Sequence, residues 1–263
     1  MVILLTIIIQ SFHKNKKKYI SLETYKIDGG YVIDKRVLSK SNILLTCGLN
    51  DDWEFEKSFL NKKPATKIIA FDHTVNQNFW IKRFKKDIIH FLLLKKLRIN
   101  KILDVFKYLD YLLFFRNNKK HYEKKIVFKK KNQKEITISE ILSNYKDVIL
   151  KIDIEGDEYK ILSDIKKNSK KIIFLIIEFH QIHKNIIKLK KFLDKIDLKI
   201  IHIHANNYGG VDINRDPKVV ELSLLNTKKI KIGSTYSKKN YPIINLDYKN
   251  FKRKDDIKIR FSK

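Results

Sequence analysis

Short apolar runs recur along this 263-residue chain, each closing on a turn residue or an acid, with amphipathic stretches between several of them. The runs predict strands over 43–47, 67–71, 125–128, 148–154, 172–179, 199–204 and 219–225. The 3.6-residue patterns predict helices over 52–61, 78–116, 138–144, 158–168 and 184–196. Strands that are apolar nearly throughout, alternating with helices, imply an α/β fold with a mostly parallel sheet covered on both faces. The last two strands are joined mainly by an Asn/Gly loop and fit an antiparallel pair at one edge. The length suits one domain, with its core at about 25–225, a helical insertion at about 78–116 and a loose basic extension at about 240–263.

The insertion carries Trp80, Phe84, Phe91, Leu92, Phe106, Leu112 and Phe115 among many lysines, with no apolar run of spanning length. A helix pair packed on the domain with its lysines in water is the expectation. A lid, a dimer surface or a peripheral membrane helix are its alternatives. Residues 1–9 are apolar but too short to span a bilayer, and no basic residue precedes them. A buried first strand or a short amphipathic element is therefore expected, and nothing marks the chain for export, so the expected location is cytoplasmic.

Composition changes the picture in two respects. Lys and Arg number 57 against 29 Asp and Glu, a net charge of +28. An anionic partner is one reading of that excess. The lysines are spread along the chain and no nucleic-acid module or aromatic stacking signature accompanies them, so general compositional bias is favoured over a nucleic-acid partner. A single cysteine, Cys47, excludes an internal disulfide and a cysteine-built zinc site.

Candidate chemistry gathers at strand ends. The run Leu44-Leu45-Thr46-Cys47-Gly48-Leu49-Asn50-Asp51-Asp52 leads an apolar strand through glycine into an acidic helix start, where unpaired N–H groups collect. Asp72 closes the next strand about 20 residues on, the separation expected of a carboxylate that holds ribose hydroxyls. In Lys151-Ile152-Asp153-Ile154-Glu155-Gly156, strand alternation puts Asp153 and Glu155 on one side. Two acids on an apolar strand are costly unless they reach a polar cleft. Ile177-Glu178-Phe179-His180 and His202-Ile203-His204 end further strands, so Asp153, Glu155, His180 and His204 are all expected at the carboxyl rim of the sheet. A rim histidine can take a proton from a hydroxyl. A divalent metal on Asp153, His180 and His204 is the less favoured alternative. Asp28-Gly29-Gly30-Tyr31 reads as a hairpin turn, in a position that would also allow it to cover a ligand.

Taken in order, Asp28-Gly29-Gly30-Tyr31-Val32, Cys47-Gly48, Phe71-Asp72, the KIDIEG block at 151–156, Ile177-Glu178-Phe179-His180, the block from His204 to Gly210 and Val220-Glu221-Leu222 resemble the FkbM-type S-adenosylmethionine-dependent methyltransferases. The resemblance implies a three-layer, seven-strand Rossmann-like methyltransferase sheet, mostly parallel with its last strand antiparallel. It implies that Gly48, Asn50 and Asp51 border the methionine part of S-adenosylmethionine, that Asp72 binds its ribose, and that Asp153 and Glu155 flank the reactive centre. His180 or His204 is then the expected base in methylation of a sugar, glycan or related hydroxyl. Asn50 stands where such turns usually have a second glycine, and His73 where proline is frequent. Asparagine tolerates the left-handed backbone such a turn needs. A degenerate relative that binds nucleic acid or an anionic surface is the alternative function. A membrane-associated glycan-modifying enzyme of another transfer class is a further rival.

Overall fold

The uninterrupted apolar runs form the middle of a seven-stranded sheet. A computed structural model describes residues 19–22, 31–92, 106–231, 241–244 and 246–259; residues 1–9 and the Asp28–Gly30 turn lie outside the described residues. In chain order the elements are β1 (Tyr19–Leu22), β2 (Tyr31–Asp34), α1 (Lys35–Lys40), β3 (Ile43–Cys47), α2 (Glu54–Lys62), β4 (Lys67–Phe71) and α3 (Gln77–Leu92). They continue with α4 (Lys107–Phe114), β5 (Lys119–Tyr122), β6 (Lys125–Ile126), β7 (Glu135–Ile136), α5 (Ile138–Ile141), β8 (Val148–Ile152) and α6 (Glu158–Lys167). The last are β9 (Ile172–Phe179), α7 (Ile182–Leu193), β10 (Lys199–Ala205) and β11 (Val220–Leu225).

The main sheet has the order β10-β11-β9-β8-β3-β4-β5. β3, β4, β5, β8 and β9 pair in parallel, and β11 runs antiparallel to both β9 and β10. The antiparallel pair therefore lies at one edge, as expected, with β11 one place in from the rim. This is an α/β sheet of the Rossmann-like kind with its last strand reversed. Every residue of β3, β8 and β9 is buried, because helices cover both faces of these strands. Alternation splits them between two cores. Leu45, Leu150 and Leu175 join one, and Leu44, Ile149 and Phe174 join the other. α6 adds Ile161, Leu162 and Ile165, and α5 starts on a Thr137–Glu140 capping box that satisfies its first amides.

Two differences from the sequence reading have identifiable causes. Of the strand predicted at 125–128, Lys125 and Ile126 form β6 in a two-stranded ribbon with β7, whereas Lys119–Tyr122, with no apolar run, forms the sheet edge. An edge strand buries little, so its sequence stays polar. The helix predicted over 78–116 is described as α3 and α4, with 93–105 outside the described residues. The described part of the tail beyond Tyr241 is docked: Tyr241 bridges Ile259 and is buried, and Asn207 holds the Phe251 and Lys254 carbonyls. Buried polar groups on the edge strands need partners, and the tail supplies them. Asp247 Oδ1 lies 2.6 Å from His202 Nε2, and Asn250 donates to Glu221 at 2.7 Å.

Burial opposes ionisation of Asp247, but the His202 and His204 charges and the Ile243 amide outweigh it and hold the carboxyl below its ordinary range. Its contribution to stability is therefore present above the unfolded carboxylate range and is lost as pH falls through the depressed value. Asp247→Ala, which strands a buried histidine, is expected to lower urea-measured stability at neutral pH by about 3–5 kcal/mol.

Candidate active site

β3 and β8 end so close together that their backbones touch. Gly48 has φ +87°, and a Cβ there would lie 1.6 Å from the Asp153 carbonyl oxygen. Two backbone bonds fix the approach: Asp153 N–H donates to Cys47 O at 2.8 Å, and Gly48 N–H to Phe71 O at 2.9 Å. Asn50 follows with φ +52°, the left-handed conformation expected of it. Asp72 braces this turn. Its Oδ2 accepts from the Leu49 and Asn50 amides at 2.8 and 2.9 Å, and its Oδ1 from the Thr74 amide and hydroxyl at 2.7 and 2.6 Å. Burial works against the charge, yet these four bonds hold the Asp72 carboxyl below its ordinary range.

Four carboxylates surround His180, two residues beyond Glu178 at the end of β9. Its Nδ1 donates to Glu158 Oε1 at 3.0 Å. Its Nε2 lies 3.3 Å from Glu155, 3.5 Å from Glu178 and 4.0 Å from Asp153. Glu158 is wholly buried, and its Oε1 also accepts from the Gly156 and Ile154 amides, which locks the KIDIEG turn to the imidazole. Burial disfavours the imidazolium, but the bond and charge of Glu158, with Asp153 and Glu155, outweigh it and raise the His180 pKa. Burial pushes the Asp153 carboxyl up to about 6, against the pull of Lys151 and His180.

Asp153 and Glu155 reach this place by a turn rather than by strand alternation. β8 stops at Ile152, and Glu155 and Gly156 have φ +55° and +104°, which folds both acids toward His180. Beneath them the buried Lys151 ammonium lies 5.3 Å from the centres of the Tyr31 and Phe55 rings. Tyr31 donates to Glu178 Oε2 at 3.1 Å, so the residue after the Gly29-Gly30 pair supports the site from behind.

A cleft of about 890 Å³ opens over these groups. Gly48, Asn50, Asp51, Asp72, Asp153, Glu155 and His180 all line it. Asp51 is also ion-paired to Arg83 of α3, so the insertion grips the cleft rim. His204 does not join them. It is buried in β10, pairs in register with Glu221 on β11 and bonds that carboxylate at 2.9 Å. The expected rim of four groups is therefore one of three. The metal set expected on Asp153, His180 and His204 is corrected likewise: Asp153, Glu155 and His180 have ligand atoms within 4.8 Å of one another.

Three participants escaped the sequence reading of the site. Glu178 shares the His180 side of β9 by alternation and was accessible to that rule. Asn206, which donates to Glu178 Oε1 at 3.0 Å, lies two residues past His204, inside the block that carries the family resemblance but with no role assigned to it there. Glu158 reads as an ordinary acid in a helix first turn, and only tertiary packing brings it under His180.

Residues 8–209 match the methyltransferase FkbM domain family. No curated protein matches the sequence significantly. Among solved structures, the chain is similar to a Methanococcus jannaschii fibrillarin pre-rRNA processing protein, at 12% identity and TM-score 0.35, over 82% of this chain and 86% of that one. It is also similar to a precorrin-6y C5,15-methyltransferase from Geobacter metallireducens, at 11% identity and TM-score 0.36, over 85% and 97%. At these scores neither likeness bears on chemistry.

Gly48→Ala places a methyl group against the Asp153 carbonyl in a backbone conformation that alanine resists. A loss of about 3 kcal/mol or more in denaturant-measured stability is expected, well beyond the ~1 kcal/mol of an exposed left-handed glycine. A loss below 1 kcal/mol would show that the two strand ends separate freely.

Proposed function

Because this chain belongs to the FkbM methyltransferase family, we propose that it uses S-adenosylmethionine to methylate a hydroxyl oxygen, that of a sugar or glycan in particular. The observation that carries the reading is the Glu158–His180 pair, with Nδ1 held by the buried carboxylate and Nε2 turned to the cleft. A neutral imidazole fixed as the Nδ1–H tautomer has a bare Nε2, the arrangement needed to accept a hydroxyl proton.

The cleft suits the cofactor. Its volume lies within the range for small-molecule sites, and Asp153, Glu155 and Glu178 supply negative charge toward a sulfonium in a chain of +28. Gly48, Asn50 and Asp51 would hold the methionine part. Asp72 would take the ribose by exchanging its Thr74 hydroxyl bond, which leaves its two amide bonds to the turn intact. When bound, S-adenosylmethionine supplies an electrophilic methyl group. The chain's own residues do the rest: Glu158 orients His180, His180 Nε2 receives the proton, and Asp153 and Glu155 stabilise the imidazolium formed. Fixing the acceptor oxygen in line supplies much of the rate.

Calorimetry with S-adenosylmethionine and its demethylated product is expected to show binding. Methyl transfer to a panel of sugars and glycans should then depend on His180, with His180→Ala lowering kcat by about 10²- to 10⁴-fold while cofactor affinity is kept. Absence of cofactor binding, or transfer to nitrogen acceptors alone, would overturn the reading. The neutral imidazole is the active form and its pKa is raised, so kcat/KM falls as pH drops through that raised value. Glu158→Gln removes the charge that raises it, and the acid limb is expected to move to lower pH.

The mutual approach of Asp153, Glu155 and His180, with Asp153 Oδ1 lacking a hydrogen-bond partner, supports a second reading in which the three hold a divalent cation. In that case Mn²⁺ binds the purified protein in calorimetry, and Asp153→Asn abolishes the binding with the fold retained. Activity unchanged by chelation and no measurable Mn²⁺ binding would exclude it.

A further inference from the structure

Helix α4 is apolar on two opposite sides, and α3 keeps apolar residues in water beyond its packed side, where a helix packed on a domain needs one apolar side. Their inner sides clasp each other and the domain. Trp80 of α3 packs on Tyr108 and Tyr111 of α4 at 5.1 and 4.9 Å and lies edge-on to Trp53 at 6.2 Å, while Asp87 and Phe114 are buried. Their exposed surfaces carry further apolar residues. Ile81, Phe84 and Ile89 on α3 and Phe106, Leu109 and Leu113 on and just before α4 leave 46–59% of their surface in water. At 3.6 residues per turn, 106, 109 and 113 lie along one line of α4, while on α3 Ile81 and Phe84 flank the Trp80 side and Ile89 lies opposite it. Lys82, Lys85 and Lys86 are exposed between the apolar residues of α3.

The mixture of charge and apolar surface selects the occupant. A second copy of the chain would bring lysines against lysines in a protein already at +28. A nucleic acid would engage the lysines and could stack on Phe84 and Phe106, but it would leave Ile81, Ile89, Leu109 and Leu113 in water, since aliphatic side chains give bases nothing to stack on. An anionic lipid surface satisfies both, with lysines at the headgroups and the apolar residues at the acyl boundary. Among the described residues no helix is long and apolar enough to cross a membrane, so the contact is one of docking. We propose that the exposed surfaces of α3 and α4 dock this protein on an anionic lipid bilayer. The docked element is joined to the cleft, because Phe79 of α3 lines it and Arg83 of α3 holds Asp51. The proposal does not depend on the chemistry assigned to that cleft.

Flotation of the full chain with vesicles tests this directly. Binding is expected to vesicles of phosphatidylcholine and phosphatidylglycerol in equal parts, weakening steeply with salt, and to be negligible with phosphatidylcholine alone. Replacing Lys82, Lys85 and Lys86 together by glutamine should weaken binding about a hundredfold, near fivefold for each lysine. Phe84→Ser with Leu109→Ser, which leaves the charge unchanged, should weaken it by about tenfold or more. Circular dichroism checks that these exposed substitutions leave the fold intact. The proposal is overturned by failure to bind phosphatidylglycerol vesicles, or by vesicle binding that survives the serine pair. Tight binding to a single-stranded RNA oligonucleotide without vesicle binding overturns it as well. So does a dimer, seen by ultracentrifugation, that the serine pair dissociates in the absence of any lipid affinity.

Discussion

The contact between the ends of β3 and β8 is the constraint on which the rest of the site depends. At Gly48 the chain has room for a hydrogen and not for a carbon, because the Asp153 carbonyl occupies that space. The Cys47–Asp153 and Phe71–Gly48 backbone bonds then join three parallel strands at one level. Asp72 adds a brace by accepting from the turn itself. A glycine expected to border a ligand is thus first a packing requirement, and any ligand there meets a backbone already fixed by its own strands.

Charge follows a different logic locally than globally. A chain with 57 basic and 29 acidic side chains gathers four of its carboxylates around one imidazole. Like charges at such distances raise each other's energy, and three features make the cluster tolerable. His180 has a raised pKa, Lys151 lies beneath Asp153, and Glu158 is bonded by two amides as well as the imidazole. A site built this way attracts cations and holds a base in one tautomer, which is what both readings of the cleft draw upon. The Arg83–Asp51 pair, partly buried, joins the cleft rim to the insertion.

Burial explains which parts of this architecture were legible in one dimension. Strands covered on both faces must be apolar nearly throughout, so β3, β4, β8, β9, β10 and β11 appear in the sequence as runs, and the parallel sheet follows from their alternation with helices. Acids at the ends of such runs are costly unless they meet polar surroundings, which is why Asp72, Asp153, Glu155 and His180 were identifiable as a rim. The edge strand β5 is covered little and so has no apolar signature. His204 obeyed the same strand-end rule as His180 but found its partner, Glu221, on the neighbouring antiparallel strand.

The sequence by itself determined the class of fold, the strands of its centre, the left-handed turn at Asn50 and the family to which the chain belongs, because each rests on local spacing or on the burial of contiguous residues. Only the tertiary structure decided that Gly48 is held by Asp153, that Glu158 and Glu178 attend His180 while His204 does not, and that the basic tail closes over β10 and β11. Those outcomes depend on contacts between residues distant in the chain, and hydrogen bonds and packing at such separations leave no periodic trace in the order of the amino acids.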